Sequence, residues 1–550
     1  MLEVYIYSIL ILILFTPFGL FLIQDFKPNI YYFSKQLIFA SIIICFLGIT
    51  INFFLPLNQI VSSSLIIFSL IFIIKNKNQY FNKKFFLFLA IQSLLITLLV
   101  TESNVFRPDA GLYHLPFIGM LNSERIIIGL SNLHSRYGHI SILQYYSAIS
   151  NNFILGKNGI VFPQAIIAAS IIMNFAYQIY SYIKKKKYNF HFLFLIFIFI
   201  YISYKMNRYS EYGNDAPAHF LLFFLISEIL LYKNKINYKE FGNNLILSLF
   251  IVQNKLTLIF IILLNLSNIK KINFKLLLKD KRFIFVSLFF SIWILKNILS
   301  TGCMLFPIKI TCYEKLSWTN IGEIEQTSKG SEVWTKDWSN LKINTDISQD
   351  DFLKNFNWLE IWLKNHFKII IKILAPYLFI CLIFIFFLVL KNKTKKYIID
   401  KDYIYYFIIL LFCSLIWFLK SPLYRYGYSF LISLFSFCFA FYCSRFNYIQ
   451  KKDIKVFSFI LILGFFVIIT KNLIRINKTN NEYNNYPWPK YYSMDNKNIL
   501  VDFDEKKINN TSIFIPINGY CMYVKKICSH YDVQNDLEIK KKYGYYIMNK

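Results

Sequence analysis

Asp109 sits in the stretch Arg107-Pro108-Asp109-Ala110-Gly111-Leu112-Tyr113-His114-Leu115-Pro116, which directly follows an apolar run. A carboxylate in such a place can take the proton from a hydroxyl that comes within hydrogen-bond reach, as a general base does. A second acid, Asp215, lies in Glu211-Tyr212-Gly213-Asn214-Asp215-Ala216-Pro217-Ala218. Its carboxylate would orient an acceptor, or join Asp109 in holding a divalent cation such as Mg or Mn through oxygen ligands. Lys255, Lys296 and Arg425 fall at the ends of apolar segments. Cations so placed stabilise the negative charge that develops on a departing phosphate.

Each of these residues also has a plainer reading. Asp favours helix N-caps, so Asp109 and Asp215 are both candidates for capping the helices that follow, Asp215 with Pro217 in the first turn. Lys296 is placed to snorkel to a membrane interface, and Arg425 to pair with a neighbouring carboxylate. His134 and His139, five residues apart, do not share a helical face and read as loop residues rather than as a metal pair. Trp318, Trp334, Trp338, Trp358 and Trp362 either stack on sugars or form an interfacial belt of amphipathic loop helices.

A membrane has to position these groups. Of the 550 residues 56% are hydrophobic, and the mean hydropathy is +0.45. Apolar runs such as Val4–Ile23, Leu37–Leu55, Phe283–Leu299, Ile369–Leu390 and Val456–Thr470 have the length a helix needs to cross about 30 Å of hydrocarbon. They are too solidly apolar for the alternating strands of a barrel, and an open sheet would leave its edges unpaired in lipid. The fold class expected is therefore an all-α polytopic membrane protein. The first run lacks a basic leader and a small-residue cleavage site and reads as a retained helix.

The formal charge of +30 does not imply a nucleic-acid partner, because the basic residues sit between apolar runs rather than on a face interleaved with aromatics. Lys75, Lys77, Lys83 and Lys84 form one cluster, Lys184 to Lys187 a second, and Lys270, Lys271, Lys275, Lys279, Lys281 and Arg282 a third. Lys391, Lys393, Lys395 and Lys396, then Arg445, Lys451, Lys452 and Lys455, continue the series. Every second loop is basic, and by the positive-inside rule these loops stay in the cytoplasm. The resulting thread has about 12 to 14 spans, with both termini outside. An apolar segment from Asn243 to Leu266, interrupted by Gln253, Asn254 and Lys255, reads as two short helices meeting at an outer break.

On this thread the outer side receives Thr101 to Phe153, a short loop from Lys205 to Asp215, Ser300 to His366, and the tail beyond Lys471. Cys303/Cys312 and Cys521/Cys528 lie in these segments, on the oxidising side, and two disulfides are the natural reading. The chain divides into N-terminal helices (1–101), a membrane module with the first outer loop (102–299), a cysteine-bearing outer loop (300–367), C-terminal helices (368–472) and an outer tail (473–550). Short strand-like runs suggest a small α/β or mostly β tail.

The segments around Asp109 and Asp215, together with Lys296-Asn297-Ile298-Leu299-Ser300-Thr301-Gly302-Cys303-Met304-Leu305-Phe306-Pro307 and Ser421-Pro422-Leu423-Tyr424-Arg425-Tyr426, resemble the GT-C superfamily of membrane glycosyltransferases. The likeness spans roughly Glu102 to Tyr442. It departs from the family in having about four helices before the Asp109 loop and Cys303 in place of the usual Asn. The stretch Asn122–Tyr146 and the cysteine pairs are also similar to those of uncharacterised bacterial membrane proteins. The resemblance implies transfer of a sugar from a polyprenyl-phosphate-linked donor to a glycan or lipid acceptor at the outer side of a bacterial cytoplasmic membrane. Asp109 and Asp215 would be catalytic, and Tyr113, His114, Lys255, Lys296 and Arg425 would bind substrate. Two rivals share that substrate class: a polymerase or ligase of another membrane fold, and a lipid-linked glycan transporter that binds phosphate without chemistry.

Overall fold

The computed structural model describes residues 1–23, 28–102, 109–205, 215–338, 348–390, 392–394, 400–446, 448, 451–477, 502–509, 511–517, 519–530 and 536–550. The helices that matter for the argument are α1 (Leu2–Phe15), α2 (Ile30–Asn52), α3 (Gln59–Lys75), α4 (Lys83–Val100), α5 (Leu115–Ser123), α6 (Leu143–Ser150), α7 (Phe162–Lys185) and α8 (Phe190–Lys205). They continue with α9 (Asp215–Tyr232), α10 (Tyr238–Asn254), α11 (Lys281–Thr301), α12 (Ile321–Asp337), α13 (Lys368–Val389), α14 (Lys401–Lys420), α15 (Tyr424–Cys443) and α16 (Lys451–Asn477).

Among the described residues, 10 helices are long and apolar enough to cross a membrane, and α3 and α8 are shorter apolar helices. The expected interruption is present as well. Lys255 leaves the helical region (φ −151°, ψ 105°), and the chain resumes as a 3-10 helix over Leu256–Lys271. The protein is a multi-pass α-helical membrane protein.

Burial sorts the helices. The apolar window over Gly156–Lys185 is 100% buried, whereas that over Asp453–Asn477 is 22% buried, so α7 is central and α16 faces lipid. Where no water reaches, polar side chains must find partners on other helices. Gln92 of α4 donates to Ser170 of α7 at 3.0 Å, and Asn174 of α7 donates to Ser34 of α2 at 3.2 Å.

Helix ends that the lysine pattern groups together meet in space. At one end of the bundle Lys35 pairs with Glu228 (2.5 Å) and Glu240 (3.6 Å), Lys271 with Asp402 (2.7 Å), and Lys233 with Asp400. At the other end Arg475 donates to the carbonyls of Thr101 and Glu102, each at 2.8 Å. The same end gathers Asp109, Asp215, Lys255 and Arg425. Both cysteine pairs are disulfides, Cys303–Cys312 and Cys521–Cys528.

The motif around Lys296 proves to be a helix stop. Gly302 takes a left-handed conformation (φ 81°) at the end of α11, and Asn297 Nδ2 donates to the Met304 carbonyl at 3.0 Å, folding the chain back into the Cys303–Cys312 loop. Three of the tryptophans are packing groups: Trp318 and Trp362 donate their ring N–H to the carbonyls of Ile298 and Pro422, each at 2.9 Å, and Trp358 is buried.

Beyond Asn477, the described part of the tail holds two β-hairpins and no helix. Antiparallel β1 (Phe503–Ile508) and β2 (Thr511–Pro516) form one hairpin, and β3 (Glu538–Lys542) and β4 (Tyr545–Asn549) the other. The tail docks on the first polar loop. Tyr137 donates to the Cys528 carbonyl (2.8 Å), Asn132 to the Met548 carbonyl (2.9 Å), and Tyr523 to Asn122 Oδ1 (2.9 Å). Gly119 allows the closest approach, since a Cβ there would collide with the backbone of Val524. Gly119→Val is therefore expected to lift the tail, at roughly 1–3 kcal/mol. Limited proteolysis should then cut the tail much faster than in the parent; an unchanged rate would contradict this docking.

Candidate functional site

Asp109 heads a π-helical turn, Ala110–His114, that leads into α5, and its side chain makes no capping bond. Its Oδ1 accepts from Arg136 Nη1 at 2.9 Å instead. Asp215 is the first residue of α9, and its Oδ1 pairs with the ammonium of Lys255, which reaches it because the break after α10 turns the side chain inward. Arg425, in the first turn of α15, lies between the two acids. Its Nη1 is 3.8 Å from Asp109 Oδ2 and its Nε 3.7 Å from Asp215 Oδ2.

Those two separations are too long for hydrogen bonds, and Arg425 Nε is buried without a hydrogen-bond partner among the described residues. Aromatic faces hold the guanidinium from the sides, with Trp334 at 5.4 Å and Tyr426 at 5.2 Å from its centre. Lys255 Nζ stands 3.6 Å from the Tyr426 ring centroid, close enough for a cation–π contact. The backbone under Arg425 is fixed by His219, whose Nε2–H donates to its carbonyl at 2.8 Å while Ser429 meets the other ring nitrogen at 2.5 Å.

Among the described residues the cluster counts two carboxylates against three cations, Arg136, Lys255 and Arg425, leaving a net charge of +1. Each acid already has a close cation of its own. This donor set does not suit a divalent metal bridging Asp109 and Asp215, because Arg425 occupies the space between them and the local field is positive. It suits an anionic group brought against Arg425.

His114 is buried beside the cluster, its Nδ1 2.5 Å from the Gln144 amide nitrogen, which can donate to it. Burial pulls its pKa down to about 4, and burial does the same for His139. Burial also pushes the Tyr113 hydroxyl well above its ordinary range. Both imidazoles are therefore neutral near pH 7. Their pKa values are depressed relative to about 6.5 in an unfolded chain, so the unfolded state binds more protons between those limits. The stability they contribute is complete above pH 6.5 and is lost as the pH falls toward 4. Hydrogen exchange across residues 109–150, corrected for intrinsic rate, should accelerate between pH 6.5 and 4.5, and less so in His114→Gln; equal acceleration in both would contradict the assignment to His114.

Sequence reasoning named Asp109, Tyr113, His114, Asp215, Lys255 and Arg425, and all six converge. Lys296 does not join them; it lines a separate cavity with Asn52, Arg125, Tyr145 and Ser300. Arg107 and Glu211 to Asn214, which flank the two acids, lie outside the described residues. Arg136, Tyr426 and His219 were not anticipated as site residues, and Trp334 was read only as one of five tryptophans that stack on sugars or form a belt. Arg136 falls in the polar stretch Asn122–Tyr146 and Tyr426 beside Arg425, so proximity in sequence was the available signal; His219 carried none.

Residues 1–432 match the family described as a domain of unknown function (DUF8201). No curated protein and no solved structure matches the chain.

Proposed function

The chain belongs to the DUF8201 family, and we propose that it is a membrane glycosyltransferase of GT-C type, moving a sugar from a polyprenyl-phosphate donor to a glycan or lipid acceptor of the cell envelope. The observation that carries the reading is the third cation. Arg136 and Lys255 each neutralise one acid, while Arg425 is held by two aromatic rings, hydrogen bonds to neither carboxylate, and keeps a buried Nε without a hydrogen-bond partner among the described residues. A phosphate oxygen would complete it, since a guanidinium fork matches phosphate geometry.

In the proposed reaction the acceptor hydroxyl attacks the anomeric carbon, the bond from that carbon to the phosphate oxygen breaks, and the bonding pair leaves on the polyprenyl phosphate. Asp109 accepts the hydroxyl proton. Arg425 and Lys255 meet the charge that grows on the phosphate, which is the larger share of the catalysis. Asp215 holds Lys255 in place, and Tyr426 and Trp334 offer apolar faces to a sugar.

The positive-inside pattern assigns this end of the bundle to the outer side of the cytoplasmic membrane, where lipid-linked sugars and envelope acceptors meet. The test is turnover by purified protein in liposomes supplied with a panel of polyprenyl-phosphate sugars and envelope glycolipids. Release of polyprenyl phosphate coupled to a glycosylated acceptor is expected. Movement of the intact donor across the bilayer without release would instead establish a transporter.

A further inference from the structure

Lys296 is only 3% exposed, yet no described carboxylate pairs with it. Its one hydrogen bond is a long contact of 3.5 Å to Asn297, its own chain neighbour. A buried ammonium without an opposite charge is unfavourable by several kcal/mol unless something else compensates. It lines a cavity of about 20 Å³ together with Arg125, Tyr145, Ser300 and Asn52, among apolar neighbours.

The polar groups around this cavity are nearly all donors. Tyr145 is 2% exposed, and its hydroxyl has no partner among the described residues. Arg125 likewise has no carboxylate among the described residues, and its guanidinium rests over the Tyr545 ring at 5.6 Å. Ser300 donates its hydroxyl to the Lys296 carbonyl (2.8 Å), and the Asn52 amide gives one of its two hydrogens to the Glu124 carbonyl (3.1 Å). What the cavity lacks is an acceptor bearing negative charge. Its size selects among the possibilities: a water requires roughly 10–15 Å³ on this scale, so one small ligand fits and a phosphate ester or lipid headgroup does not.

We propose that this cavity is a halide site, in which a chloride ion accepts from Lys296 and Tyr145 and is held in the positive field of Arg125. The ion would sit where the end of α2, the α5–α6 loop and the end of α11 come together, tying the first polar loop to the Cys303–Cys312 hairpin. The site is independent of the chemistry proposed for the acidic cluster.

The experiment uses the purified full chain in detergent at constant ionic strength, with chloride replaced stepwise by gluconate, and reads thermal unfolding. Tm should rise saturably with chloride, bromide should substitute for it, and gluconate, too large for the cavity, should not. Lys296→Met should abolish the dependence while still unfolding cooperatively in gluconate. Tyr145→Phe, which keeps the ring, should raise the chloride midpoint about tenfold. A Tm indifferent to chloride in the parent, an equal rise with gluconate, or a full chloride response in both variants would overturn the proposal.

Discussion

Arg425→Gln is expected to lower kcat/KM for a polyprenyl-phosphate donor by about 10²–10³-fold, the range found when one preorganised electrostatic donor is removed. Two features make this the most sensitive position. Asp109 keeps Arg136 at 2.9 Å and Asp215 keeps Lys255, so neither acid is left as an uncompensated charge. The residue rests against the neighbouring rings of Trp334 and Tyr426, a contact that Gln partly reproduces. The loss should therefore appear in turnover with the fold retained. Arg425→Lys should recover only a small part, because an ammonium cannot offer the planar fork and does not stack. The check is steady-state turnover alongside a thermal melt. Loss of activity with a matching loss of folded protein would mean that Arg425 is structural.

Asp109→Asn is expected to reduce the chemical step by about 10²–10⁴-fold while leaving donor binding within a few-fold, since the amide keeps the shape but cannot take a proton. Removing this carboxylate also leaves Arg136 without its partner, so a positive charge is set free beside the donor phosphate and KM should fall slightly. The competing reading of Asp109 as a helix cap anticipates lost stability and unchanged turnover. The side chain makes no capping bond, which favours the first outcome.

How much of this was legible beforehand depends on the kind of information involved. Solid apolar runs and alternating lysine clusters are one-dimensional signals, and they anticipated the helices, the break at Lys255, the grouping of helix ends and both thiol pairs. The acids and cations at helix ends were visible because a charge that interrupts an apolar run stands out. Nothing in the pattern could say which helix ends adjoin. Lys296 and Lys255 read alike in sequence, each a lysine at the edge of an apolar segment. Packing sends Lys255 to Asp215 and Lys296 to a cavity bordered by Arg125 and Tyr145. His219 looked like an ordinary residue within a span, and only the crossing of α9 with α15 makes it the support of the Arg425 backbone. Trp334, one of five tryptophans that read alike in sequence, is brought to Arg425 only when α12 folds back over the bundle end.

The docking of the tail was equally hidden. Tyr523 and Asn122 are 401 positions apart yet share a hydrogen bond of 2.9 Å, and no local pattern records such a pairing. The strand-like runs did indicate β structure in the tail, because alternation is a local property, but not how the strands pair.

The account stands most directly on where a polyprenyl phosphate binds. A photoreactive polyprenyl-phosphate analogue, crosslinked to the protein in liposomes and mapped by mass spectrometry, should label peptides from α15 and from the loop around Asp109, with labelling sharply reduced in Arg425→Gln. Labelling confined to the opposite end of the bundle, or undiminished by that substitution, would contradict it.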